Sequence, residues 1–187
     1  RAAAAFGLAP QIMNAHVRAL LDATQQPDAA VRNSLGAKKF KELRRQRNRL
    51  ADDGEVTFTI ASSAADVAVA LDGFLELEAS GWKGKQGTAL AKDACHVDFI
   101  RRAVSELAAN GNAEIATLAC NGSPVAAGIL LRHGRRVSFF KIAYDEAVAK
   151  MSPGLQLCAD VTRHLCADPT VEDADSTAVE NHPMIDH

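Results

Sequence analysis

The stretch 136–165, RVSFFKIAYDEAVAKMSPGLQLCADVTRHL, decides the fold. Its first part is a mostly apolar run of aromatic and β-branched residues, which reads as a buried strand. A short polar loop follows. Ser152-Pro153-Gly154 then opens an amphipathic helix over 153–166, with Ser152 as N-cap and Pro153 at the first helical position. Leu155, Cys158, Val161 and Leu165 fall on its inward face. A helix start presents free backbone N–H groups and the positive end of the helix dipole. The Ser-Pro-Gly segment therefore has two readings. One is a plain cap that needs no ligand. The other is an anion site, where Gly154 allows close approach to the backbone and Lys150 adds charge.

Upstream, the residues around this stretch complete a meander. Residues 114–120 and 124–132 read as strands, joined at Asn121-Gly122, a strong hairpin signal, and the second turns into 136–144 at His133-Gly134. The middle strand is apolar on both faces, with Val125, Ala127, Ile129 and Leu131 on one and Ala126 and Leu130 on the other. That places it inside the sheet. Before the meander, residues 93–109 form a helix with Val97, Ile100, Val104 and Leu107 inward, ending at Asn110-Gly111. Residues 81–93 are a Gly-rich segment. A helix capped by Ser62-Ser63 runs to about 80, with Val67, Leu71, Phe74 and Leu75 inward. Residues 55–61 alternate as a half-buried strand. Downstream, 175–179 reads as one more short strand.

The N-terminal part is different in character. Met13, Val17, Leu20 and Leu21 have helical spacing over 10–23. Residues 25–34 are polar and read as a linker. Residues 35–52 form a helix with a narrow stripe of Phe40, Leu43 and Leu50, surrounded by Lys38, Lys39, Lys41, Arg44, Arg45, Arg47 and Arg49. These basic residues read as a solvated face, as a brace between domains, or as a track for tRNA phosphates. The division this implies is 1–34 as a helix and linker left from a preceding domain, 35–53 as a basic connector, and 54–187 as the main domain. The start at Arg1 and the ending HPMIDH are expected to be cut ends of a longer protein.

Composition narrows the class. The chain has 187 residues, is 48% hydrophobic and carries a formal charge of −2. This is the balance of a globular domain, with no global charge to recruit nucleic acid or an anionic membrane. The four cysteines are dispersed, with no CxxC pair, which fits a reducing, cytoplasmic setting rather than a zinc or disulfide framework. No stretch is apolar enough to span a bilayer, and no signal peptide is evident. His182, Asp186 and His187 lack a second cluster, so no metal is expected.

From residue 55 the order is strand, helix, helix, three meandering strands, helix, strand. This resembles the GNAT acyltransferase fold, an α/β (α+β) arrangement with a mainly antiparallel central sheet. The resemblance covers about 38–187, with the last part of the fold expected to be missing. The words FLELEASGWKGKQGTAL (74–90), FKIAYDEAVAKMSPG (140–154) and DSTAVENHPMIDH (175–187) are similar to CelD/BcsL-like acetyltransferases. These are bacterial proteins linked to cellulose or exopolysaccharide synthesis and related to Fem-type aminoacyl transferases. The superfamily's glycine-rich pyrophosphate word is replaced here by AKMSPG.

The resemblance implies transfer of an acyl group from acyl-CoA to an amine or hydroxyl, possible partners being a saccharide or amine acceptor and a polysaccharide-synthesis complex. The alternatives are an aminoacyl-tRNA donor and a non-catalytic scaffold module. It implies a cofactor cradle at Lys150, Ser152, Pro153, Gly154 and Leu155. Tyr144, the only tyrosine, sits at a strand end beside that loop, where it would protonate a leaving thiolate. Glu78 or Asp145 would take the acceptor's proton. Trp82, Lys83 and Thr88, on the Gly-rich loop, would contact substrate, with Trp82 otherwise plugging the core. Lys141 interrupts an apolar run, and its amine needs water, a carboxylate or a ligand. In a regular strand Lys141 and Asp145 share a face roughly 13 Å apart, so they meet only if the strand bulges.

Overall fold

The computed structural model describes residues 17–178. Residues 10–16 of the expected first helix, Val179 of the last strand, and His182, Asp186 and His187 lie outside the described residues.

The meander forms as its turns require. Strands β3 (Ala113–Cys120), β4 (Ser123–His133) and β5 (Arg136–Tyr144) pair antiparallel in sequence. Asn121 and Gly122 both have positive φ, the type I′ pattern that matches strand twist. The second turn is Gly134-Arg135, where positive φ falls on Gly134 alone. Strand β2 (Val56–Ala61) joins β3 on one side. On the other side β5 pairs with β6 (Asp173–Asp175), and β6 with β1 (Leu20–Asp22). The sheet order is β1-β6-β5-β4-β3-β2, and β5–β6 is the parallel pair.

Three regions depart from the sequence expectation. Leu20–Asp22 is a strand rather than the end of a helix, because its partner β6 lies far along the chain. Residues 25–34 are not a linker. Helix α1 starts at Pro27 and runs to Asp52, with a break at Gly36 (φ 70°, ψ 164°). Pro27 suits a first helical turn, and Val31 and Leu35 are buried with Leu43 and Ala159, contacts no local pattern reveals. The last strand is shifted to Asp173–Asp175.

Helices cover both faces of the sheet. Helices α2 (Ala64–Ser80) and α4 (Ala94–Ala109) bury Val67, Leu71, Phe74, Ile100 and Val104 against Ile115, Ala127 and Ile129. Ser63 caps α2, accepting from the Asp66 amide, and Asp93 caps α4. On the other face α5 (Pro153–Ala167) buries Leu157, Val161 and Leu165 against Leu118, Ala126, Leu130 and Phe139. A Cβ on Gly128 would lie 2.3 Å from the Phe139 ring, so only glycine lets that ring cross the middle strand. Helix α1 lies along α5 through Val31, Leu35, Leu43 and Ala159. This is an α/β domain with a mainly antiparallel six-stranded sheet between helices.

Candidate active site

The site gathers at the C-terminal end of β5. Asp145 N donates to Val125 O across the β4–β5 pair. In an antiparallel ladder, bonding pairs alternate with pairs whose N–H and C=O groups point outward. Ile142 and Tyr144 are on the outward pairs, so their amides face the β6 side. There, among the described residues, β6 pairs with β5 over Arg136–Ser138. Beyond it, Thr177 Oγ1 donates to Phe139 O at 2.7 Å, and Lys83 Nζ donates to Ile142 O at 3.1 Å.

Lys141 is partnered, but not by Asp145. The β4–β5 register shifts between Ile129 and Leu130, so Phe140 has no opposite residue and Lys141 stands across from Ile129. On that face it meets α2, where Lys141 Nζ donates to Glu78 Oε1 at 2.9 Å. Lys83 Nζ reaches the same oxygen at 3.3 Å, and Glu78 Oε2 accepts from Leu90 N at 2.8 Å. The Glu78 side chain has no solvent exposure. Its burial raises the carboxyl pKa. The hydrogen bonds from Lys141 and Leu90 and the charges of both lysines outweigh this and hold it below the usual value. Asp145 instead caps the 3-10 turn Glu146–Met151, its Oδ1 accepting from Ala147 N at 2.8 Å.

The Gly-rich loop folds over this cluster. Helix α3 (Trp82–Lys85) is a single turn, and Leu90–Lys92 is a 3-10 turn. Trp82 is 46% exposed, so it does not plug the core as one reading of the sequence had it. Lys83 Nζ sits 5.9 Å from its ring centroid. Thr88 closes the loop, its amide and hydroxyl both donating to Lys83 O. A small cleft is left between Leu77, Glu78, Gly81, Trp82, Lys83 and Tyr144. The Tyr144 hydroxyl has no hydrogen-bond partner among the described residues.

The start of α5 lies beside Tyr144. A Cβ on Gly154 would come within 3.4 Å of Tyr144 Cδ1 and 3.6 Å of Ile142 Cδ1. Ser152 does not cap with its side chain. It adopts a left-handed conformation (φ 50°, ψ 52°), and its amide donates to Ala149 O. Its carbonyl accepts the first helical bond, from Gln156 N. Pro153 has no N–H, which leaves the amides of Gly154 and Leu155 as the open donors of the first turn. Lys150 is exposed, and its carbonyl accepts from Gln46 Nε2. The loop's side-chain support comes from Gln156, which is 2% exposed: its Nε2 donates to Met151 O at 2.7 Å. Sequence reasoning missed Gln156, since a glutamine between Leu155 and Leu157 carries no local signal of burial.

The basic helix is in part a brace. Arg47 reaches Asp160 at 2.8 Å and Gln156 at 3.2 Å on α5, while Arg45 pairs with Glu42 on its own helix. Among the described residues no group of three or more metal-ligating side chains converges, and no helix is long and apolar enough to cross a membrane.

Solved structures share this architecture at low identity. The C-terminal domain (DUF2156) of a putative lysylphosphatidylglycerol synthetase from Agrobacterium fabrum is 19% identical, with a TM-score of 0.56 over 86% of this chain and 45% of that one. FemX is 10% identical, with a TM-score of 0.59 over 90% of this chain and 56% of that one. A conserved protein of unknown function from Bacteroides thetaiotaomicron is 15% identical, with a TM-score of 0.53 over 86% and 50%. The chain thus spans about half the length of these structures, and the likeness establishes the fold. No curated protein matches it in sequence. Residues 37–178, from the middle of α1 past β6, match the family model of the acetyltransferase (GNAT) domain, and the chain belongs to that acyltransferase family.

Proposed function

We propose that this domain moves an acyl group, most simply acetyl, from acyl-CoA to an amine or hydroxyl acceptor. The observation that carries the reading is the three-residue parallel pairing of β5 with β6, after which β5 runs on to Tyr144 beside the start of α5. A thioester laid along that edge would set its diphosphate on the Gly154 and Leu155 amides, with Lys150 and the Ser152 turn beside it. Its carbonyl oxygen would take the outward amide of Ile142 or Tyr144. The acceptor would enter under the loop bearing Trp82, Lys83 and Thr88.

In the transfer step the acceptor's nitrogen or oxygen bonds to the carbonyl carbon and the carbon–sulfur bond breaks. The acceptor's proton passes to Asp145, whose Oδ2 has no partner among the described residues. Tyr144 gives its proton to the leaving thiolate. Glu78 is the weaker base, because both of its oxygens are engaged and its charged form is favoured. Its part is to hold Lys141 and Lys83.

The words at 74–90 and 140–154 support a CelD/BcsL-like role in cellulose, exopolysaccharide or other envelope synthesis, carried out in the cytoplasm. An aminoacyl-tRNA donor is the second reading, favoured by the likeness to FemX and by exposed Lys38, Lys41, Arg44 and Arg49 on α1.

Calorimetry with coenzyme A and acetyl-CoA tests the first reading. Both should bind. Tyr144→Phe should leave that binding intact and slow transfer. Binding of neither ligand, together with tRNA binding that falls steeply with salt and is lost on Arg44, Arg45 and Arg49→Glu, would move the assignment to the second.

A further inference from the structure

The groove between α1 and α5 joins the cofactor loop to a cluster of guanidinium groups. About 140 Å³ of free space lies between Phe40, Arg44 and Arg47 of α1 and Gln156, Asp160 and Arg163 of α5. A water takes about 30 Å³, so a group the size of several waters fits. We propose that this groove holds the 3′-phosphate of coenzyme A, with Arg44 as the contacting residue. The inference rests on the donor reading above.

Two of the guanidinium groups are fixed in place. Arg47 and Arg163 both bond Asp160, at 2.8 and 3.0 Å, and Arg163 also bonds Asp28 at 2.9 Å. Arg44 makes no hydrogen bond or ion pair among the described residues. Three guanidinium groups face two carboxylates here, so the groove keeps a surplus of positive charge, and the free donors belong to Arg44.

The groove is also in the right place. Gln156 lines it and lies only two residues past Gly154, a rise of about 3 Å along the helix. The same side chain bonds Met151 O in the cofactor loop, and Gln46 of α1 bonds Lys150 O. With the diphosphate on the Gly154 and Leu155 amides, the 3′-phosphate would lie one ribose away, and the α1 side of α5 is where basic side chains stand to receive it. Phe40, with the Arg32 guanidinium 5.0 Å from its ring centroid, offers an aromatic wall for the adenine.

The test compares coenzyme A with dephospho-coenzyme A, which differs only by that phosphate. Calorimetry is run on the whole chain at low salt. The parent should bind coenzyme A about tenfold more tightly, the value of one exposed charge-assisted hydrogen bond. Arg44→Gln should bring the ratio near one by weakening coenzyme A alone. Arg49→Gln removes the same charge from the same helix outside the groove and should leave the ratio unchanged. Equal binding of the two ligands by the parent would overturn the inference and leave the donor reading standing. So would a ratio that survives Arg44→Gln, or one that collapses equally in Arg49→Gln. Binding of neither ligand would overturn both.

Discussion

Glu78→Ala should destabilise the domain by about 3 kcal/mol at pH 7. The substitution removes hydrogen bonds with Lys141, Lys83 and the Leu90 amide from a fully buried carboxylate. Breaking a buried pair by deleting one partner costs about 3–5 kcal/mol. The two lysines are 24% and 23% exposed, so they can turn partly to water, and the low end applies. In a domain of this size that lowers Tm by about 6–12 °C. Glu78→Gln keeps an acceptor for the Leu90 amide and should cost less, about 2 kcal/mol. The pH dependence has a definite sign. The folded pKa of Glu78 lies below its unfolded value near 4.5. Its contribution is therefore complete above pH 4.5 and is lost as pH falls through the folded pKa. Urea denaturation at pH 7 and at pH 3 should show the gap between parent and Glu78→Ala narrowing in acid. A Glu78→Ala variant within about 1 kcal/mol of the parent at pH 7, or a gap unchanged in acid, would refute the clasp argument.

Gly84→Ala should distort the loop more than a typical alanine substitution, because its Cβ would lie 1.7 Å from Ala79 O; a shift in Trp82 fluorescence and a lower Tm would report it. Gly154→Ala should be tolerated at ordinary contact distance, whereas the branches of Gly154→Val should meet Tyr144 and Ile142 and weaken coenzyme A binding at least about tenfold by calorimetry, with the fold retained. Cys158 is half-buried, and desolvation of its thiol pushes the pKa up to about 12, while Cys95 is exposed. A disulfide reagent at pH 8 should label Cys95 at once and Cys158 only after denaturant is added.

The meander and its caps were legible because their signals are local. Asn121-Gly122 and Ser63 each act within a few residues of themselves. What could not be read depends on partners far along the chain. The helical start at Pro27 is stabilised by Val31 and Leu35 packing with Ala159, and Leu20–Asp22 is a strand only because β6 accepts it. Within the site, the odd lysine in an apolar run signalled water, a carboxylate or a ligand as its partner, and the fold supplies a carboxylate. Which carboxylate was hidden, since Glu78 lies 63 residues away and is reached through a register shift. Ser152 looked like an ordinary cap, yet its backbone is left-handed and its side chain caps nothing, while a buried glutamine holds the preceding loop through Met151 O.

Among the described residues, strand β1 has β6 as its one partner in the sheet, with Leu20 opposite Asp175. During synthesis the partner emerges about 150 residues later, which at about 5–20 residues per second is a wait of roughly 8–30 s. The nascent chain can complete the ladder from β2 to β5 well before its first strand has anywhere to go. Sheet assembly on the ribosome therefore runs from the β2 edge across to the β1 edge, which closes last.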